Sequence, residues 1–102
     1  MKLAYIAGPY RSDTINGTIK NIRAAEQVAI KYWKNGYAVI CPHKNTALFD
    51  GVCRDETWLN GDIEILKRCD CIVMISGWEG SEGSVKEREV AIENRLKVIY
   101  DK

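Results

Sequence analysis

Four short apolar runs, separated by stretches of a different period, leave this chain few folds to choose from. They are Lys2-Leu-Ala-Tyr-Ile-Ala-Gly8, Tyr37-Ala-Val-Ile-Cys41, Cys71-Ile-Val-Met-Ile75 and Lys97-Val-Ile-Tyr100. Runs this short, stopped by Gly8-Pro9 and by Pro42, suit strands buried on both faces of a parallel sheet. From Thr18 to Asn35 the pattern turns helical, with Ile19, Ile22, Ala25, Ala29 and Trp33 three or four residues apart. Gly36 follows where a left-handed C-cap belongs. A second helix is expected from Asp55 to about Arg68, with Trp58, Leu59, Ile63 and Leu66 on its inner side. A third should run from Ser84 to about Arg95. Arg11 to Gly17 reads as a loop, and residues 42–54 form the longest stretch without regular pattern.

The order β-α-β-α-β-α-β implies right-handed crossovers and helices on both faces of the sheet. The expected fold is an α/β, three-layer Rossmann-like (flavodoxin-like) sandwich with a four-stranded parallel sheet in the order 2-1-3-4. At 102 residues the chain has room for a single domain, residues 1–102. With 46% hydrophobic residues it is too apolar to be disordered. Fifteen Lys and Arg against fourteen Asp and Glu leave a formal charge of +1, so no whole-molecule field recruits a nucleic-acid polymer or an anionic membrane. No apolar run approaches the roughly 20 residues of a bilayer span. The N-terminus MKLAYIAGPY lacks the pattern of a signal peptide. The four cysteines, Cys41, Cys53, Cys69 and Cys71, are therefore expected as free thiols in a cytoplasmic protein.

In such sheets ligands bind beyond the carboxyl ends of the strands, where the strand order reverses. Here that point falls between the loop after Gly8 and the loop after Ser76, and both have unusual chemistry. Asp62 lies within the arc marked by Trp58, Leu59 and Leu66, which should face the sheet. A carboxylate there needs an Arg or backbone partner, or it borders a cavity as an acid whose pKa burial tunes. Glu87 is less distinctive, because Ser84-Val-Lys-Glu87 spells a capping box. Val85, Ile92 and Leu96 mark the expected buried arc of that helix, and Glu89 lies closer to it than Glu87 does.

Gly80, Ser81, Gly83 and Ser84 precede a helix whose first N–H groups can cradle an anion. The loop is neither G-x-G-x-x-G nor a Walker A motif. Opposite it, Gly8-Pro9-Tyr10-Arg11-Ser12 supplies a guanidinium fork and a hydroxyl suited to a phosphate. His43 is the only histidine, and nothing near it suggests a nucleophile system. Cys41-Pro-His43 with Cys69-Asp-Cys71 lacks the usual zinc spacings, so no metal site is expected. Trp33 and Trp58 sit at core spacing. Trp78, within the glycine loop, could stack on a base or cover a subunit interface.

Assembled in order, these elements resemble the nucleoside 2-deoxyribosyltransferase superfamily, in particular its small bacterial and phage branch. The matching stretches are Tyr5-Ile-Ala-Gly-Pro9, Trp58-Leu-Asn-Gly-Asp62, Cys69-Asp-Cys-Ile-Val-Met and Gly77-Trp-Glu-Gly-Ser-Glu-Gly-Ser-Val-Lys-Glu87, with Ala91 four residues on. The resemblance implies that Glu87, not Glu89, attacks or stabilises the anomeric carbon. It further implies that Asp62 serves the base or leaving group and that Tyr5 holds the glutamate. Transferases of the family tend to carry an acid six positions before the glutamate, whereas hydrolases of nucleoside 5′-monophosphates tend to carry serine. This chain has Ser81 there, and Arg11 lies where those hydrolases place a phosphate-binding arginine.

The resemblance therefore implies an N-glycosidase similar to the 2′-deoxynucleoside 5′-monophosphate N-hydrolases, with Glu87, Asp62 and Tyr5 as catalytic residues. Gly8, Pro9, Arg11, Ser12, Trp78, Ser81, Gly83 and Ser84 would bind substrate, and no cofactor is expected. Base exchange is the alternative, and nucleotide binding without turnover is a third. The family often completes its pocket from a neighbouring subunit near the C-terminus, while this sequence ends at Lys102, and Lys86 and Arg88 replace smaller neighbours of the glutamate. A homodimer or higher homo-oligomer is expected, since so small a sheet buries little by itself.

Overall fold

β1 (Leu3–Ala7) runs through the centre of a four-stranded sheet and sets the layout of everything around it. The structure, a computed structural model, describes all of residues 1–102. β2 (Ala38–Ile40), β3 (Cys71–Met74) and β4 (Lys97–Tyr100) complete the sheet in the order β2-β1-β3-β4, the expected one. Every neighbouring pair is parallel, with Tyr5 opposite Ile40 on one side and Ile72 on the other, and Ile72 opposite Val98. Four helices cover it: α1 (Ile15–Lys34), α2 (Pro42–Asn45), α3 (Asp55–Leu66) and α4 (Glu82–Glu93). A 3-10 turn, Trp78–Gly80, links β3 to α4.

Alternation along β1 divides the core in two. Ala4 and Ile6 pack with Ala25, Ala29 and Tyr32 of α1. Tyr5 and Ala7 face the other way, into Leu66 of α3, Ile72 and Met74 of β3, and Ala91 of α4. Three layers result, with the sheet as the middle one.

Several boundaries differ from expectation for identifiable reasons. α1 begins at Ile15, not Thr18, because Thr14 Oγ1 accepts from the Gly17 N–H at 2.9 Å and caps the earlier turn. Trp33, expected inside, is 55% exposed, while Tyr32 is buried. At the last helical turn either position could meet the sheet, and Tyr32 has partners there: an edge-on contact with Tyr37 and a hydroxyl reaching Asp101. Gly36 closes the helix with φ of 90°, a conformation that costs other residues strain.

The 42–54 segment is not wholly irregular, since Pro42 starts the single turn of α2, where its missing N–H costs nothing. Leu59, expected on the inner side of α3, is 51% exposed. α4 starts at Glu82, with Ser81 as its cap accepting from the Ser84 N–H at 3.3 Å. The expected capping box from Ser84 to Glu87 therefore does not form. Ile92 is half exposed, and the residues of α4 buried against the sheet are the small Ser84 and Ala91. All four cysteines are free thiols, and only Cys53 is exposed. No helix is long and apolar enough to cross a membrane.

Candidate active site

The strand order reverses between β1 and β3, and a cleft of about 580 Å³ opens beyond their carboxyl ends. That volume suits a small organic ligand. Residues 8–11 after β1, residues 80–84 at the start of α4, and Trp58, Leu59 and Asp62 of α3 line it. His43, Asp50 and Asp55 close the remaining side.

Tyr5 is wholly buried on β1, and its hydroxyl donates to Glu87 Oε2 across the gap to α4. Glu87 follows Ser84 by three residues and precedes Ala91 by four, so it shares their sheet-facing stripe. Because that stripe is otherwise small, the helix can bring the carboxylate to the end of the strand. Burial pushes Glu87 up to about 7, aided by the negative charge of Asp62 and opposed by the Tyr5 hydrogen bond. Glu89, which the helical wheel favoured, is exposed.

Asp62 is partly buried in the wall of the cleft. Neither the Arg partner nor the backbone cap considered for it is formed, and burial alone pushes it up to about 6. The Tyr5 phenol is driven far above its ordinary value by burial first and then by the Glu87 and Asp62 carboxylates. It stays a neutral donor. Two carboxyl groups near enough to feel each other's charge thus titrate close to neutrality, so one can be ionised while the other holds a proton.

Ser81, Gly83 and Ser84, expected to cradle an anion, line the cleft together with Gly8, Pro9 and Arg11. The Ser84 hydroxyl donates to Ser81 Oγ at 3.0 Å, which fixes both at the mouth of α4. Gly8 is required by packing, since a Cβ there would come within 2.8 Å of the Ile75 side chain. Arg11 reaches Asp55 at 2.6 Å and lies 4.0 Å from Asp50.

Two expected binding residues are elsewhere. Ser12 is exposed and turned toward Gly17 at the start of α1, where its hydroxyl occupies the space a Cβ on Gly17 would need. Trp78 packs against Tyr100 at 6.0 Å, under the Arg88 guanidinium at 5.1 Å, and on the cluster beneath α4. The aromatic surface of the cleft comes instead from Trp58, read as core, and from Tyr10.

Tyr10, His43, Asp50 and Asp55 were not singled out as site residues, and the structure joins them. The Tyr10 hydroxyl donates to Asp50 at 2.7 Å and accepts from the Leu48 N–H at 3.0 Å. His43 is buried, with Nε2 placed 3.1 Å from the Gly8 carbonyl and 2.9 Å from that of Pro9. Both partners are acceptors, so Nε2 carries the proton, and burial pulls the ring's pKa down. Its signal in the sequence was its solitude next to Pro42, which gave no role. No group of three His, Cys, Asp or Glu side chains could hold a metal ion. Cys41 and Cys69, paired in the zinc arrangement considered above, lie in the two different halves of the core.

Residues 2–100 match the family model described as Domain of unknown function (DUF4406). No curated protein gives a significant sequence match. Among solved structures, the chain is similar to a 2-deoxyribosyltransferase from the psychrotolerant bacterium Bacillus psychrosaccharolyticus, with a TM-score of 0.66 and 20% identity over 96% of this chain and 70% of that one. It is also similar to a 2-deoxyribosyltransferase from Leishmania mexicana, with a TM-score of 0.66 and 19% identity over 98% of this chain and 63% of that one. At such identities the likeness is one of fold.

Proposed function

The chain belongs to the family described as Domain of unknown function (DUF4406), and from the chemistry of its cleft we propose that it is an enzyme hydrolysing the N-glycosidic bond of (deoxy)nucleoside 5′-monophosphates. One observation carries this: Glu87, held by the Tyr5 hydroxyl, shares a cleft with Asp62, and both carboxyls are pushed toward neutral pH. Cleaving a C1′–N bond builds an oxocarbenium-like sugar, which an anion can capture while an acid serves the departing base.

With Asp62 at about 6 and Glu87 at about 7, the reacting form is the minor one of the singly protonated pair, in which Asp62 holds the proton. In that form ionised Glu87 adds to C1′ as the C1′–N bond breaks, and the electron pair of that bond leaves with the base. Asp62 gives its proton to the base. As a carboxylate it then takes a proton from a water that attacks C1′, and Glu87 is released. Tyr5 fixes Glu87 and lowers its pKa, favouring the ionised form. Arg11, Ser81, Gly83 and Ser84 would hold the 5′-phosphate, with Gly8 and Pro9 forming the facing wall.

A second assignment is favoured by the names of the two similar structures, both 2-deoxyribosyltransferases. In it a second base, rather than water, takes the sugar from Glu87. We further propose a cytoplasmic homodimer, since a sheet of four short strands buries little by itself. Light scattering on the eluting protein gives the mass that tests the dimer.

The deciding experiment incubates the protein with a panel of nucleoside monophosphates and the matching nucleosides, with and without an added acceptor base. Free base released from monophosphates supports hydrolysis, and a new nucleoside or nucleotide formed from the acceptor supports transfer. Thermal stabilisation by a nucleotide with neither product means binding without turnover.

A further inference from the structure

Arg11 does not project freely into the cleft. Its guanidinium meets Asp55 Oδ1 at 2.6 Å, with Asp50 farther away at 4.0 Å. The two carboxylates differ in what else they have. Asp50 already accepts the Tyr10 hydroxyl at 2.7 Å, and through Tyr10 it is tied to the Leu48 backbone. Asp55 has no other side-chain partner, but it is the first residue of α3, whose cap residue Arg54 supplies no side-chain hydrogen bond. The open amides and positive dipole end of that helix favour a carboxylate in the first turn whether or not an arginine is present.

We propose that Asp55 is a placeholder for the anionic group of the substrate, and so sets how strongly the cleft prefers a phosphorylated ligand over a neutral one. This rests on the assignment of Arg11 to phosphate binding made above. An entering phosphate takes the guanidinium, and Asp55 falls back on the α3 amides. The exchange is accessible because both partners lie at the surface, with side-chain exposures of 61% and 55%. An exposed ion pair of this kind changes an equilibrium by up to about fivefold. Asp55 therefore lowers affinity for a monophosphate modestly while keeping Arg11 aligned at the mouth.

The test is calorimetric titration of the full chain with a deoxynucleoside monophosphate, the matching nucleoside and inorganic phosphate. It compares the parent with Asp55→Asn, Arg11→Gln and the double variant, each first checked for parental melting behaviour. Asp55→Asn should tighten the monophosphate and inorganic phosphate about two- to fivefold and leave the nucleoside unchanged. The gain should vanish in the double variant. If Arg11→Gln weakens the monophosphate but Asp55→Asn brings no gain, or brings an equal gain for the nucleoside, the placeholder role is overturned and the phosphate assignment stands. If Arg11→Gln binds the monophosphate as the parent does, the assignment of Arg11 itself fails and the placeholder with it.

Discussion

The two sides of the cleft are built on opposite principles. On one side Tyr5, Asp62 and Glu87 stand on β1, α3 and α4, with Tyr5 wholly buried and both carboxyls pushed toward neutral pH. On the other, Tyr10, Arg11 and Asp50 come from loops and Asp55 from a helix's first residue, and they satisfy one another at the surface. The first side carries strained ionisation on rigid supports, where a carboxyl can be held off its ordinary pKa. The second carries exposed ion pairs and hydrogen bonds supplied by loops and a helix end. Chemistry should therefore concentrate on the first and ligand preference on the second.

The sharpest way to break this contrast is Glu87→Gln. If Glu87 is the group that meets C1′, base release should fall at least about a thousandfold. The same variant has a stability signature that needs no substrate. Glu87 is raised from an ordinary 4.5 to about 7, so the folded state binds more protons than the unfolded state between those values. Folding stability of the parent then declines as pH rises through that window, a decline Gln does not share. Melting curves should coincide more closely at pH 5 than at pH 8, where the variant is the more stable. A loss of activity with no such divergence would mean that the carboxyl is not buried as described.

Asp62→Asn comes next, with a loss of about a hundredfold to ten-thousandfold expected for a missing acid-base group. In the parent, groups at about 6 and about 7 should give a bell-shaped rate profile centred near pH 6.5. The variant should lose the limb that falls at high pH. Its remaining limb should move below 7, because the Asp62 charge no longer raises Glu87. Tyr5→Phe should cost roughly tenfold to a hundredfold, the worth of one hydrogen bond to a charged group. It should move the Glu87 limb upward instead, since the hydroxyl had been lowering it. Opposite shifts in the two variants are the distinguishing result.

Legibility in the sequence followed the same division. The parallel sheet followed from short apolar runs alternating with helical stretches, and Asp62 stood out because a carboxylate interrupted an apolar arc. Glu87 did not stand out, because the wheel weighted large apolar residues, while α4 presses on the sheet through Ser84 and Ala91. The family resemblance, not periodicity, singled it out. Its cap also lies three residues earlier than the motif suggested, at Ser81. The loop side was the least visible: Tyr10, His43, Asp50 and Asp55 meet only after the chain has folded. Trp78 erred in the reverse sense, since a tryptophan among glycines looked available, yet Tyr100 and Arg88 from distant positions cover it.

The smallest expected effect tests whether the loop side bears strain of its own. Leu48 has φ of 60°, beside the N–H that donates to Tyr10. A non-glycine residue in that region costs about 1–2 kcal/mol. Leu48 is also 56% exposed, so little packing is lost on truncation. Replacing it by glycine relieves the strain but adds roughly 0.5–1 kcal/mol of unfolded-chain entropy. The net is a gain of up to about 1.5 kcal/mol, or a melting temperature raised by up to about 6–12 °C for a domain this size. The Tyr5, Asp62 and Glu87 side should not respond, so the pH profile should keep its parental centre. A lower melting temperature would show that the 42–54 segment is held by its side chains rather than strained by its backbone. A displaced pH profile would show that the two sides of the cleft are mechanically one.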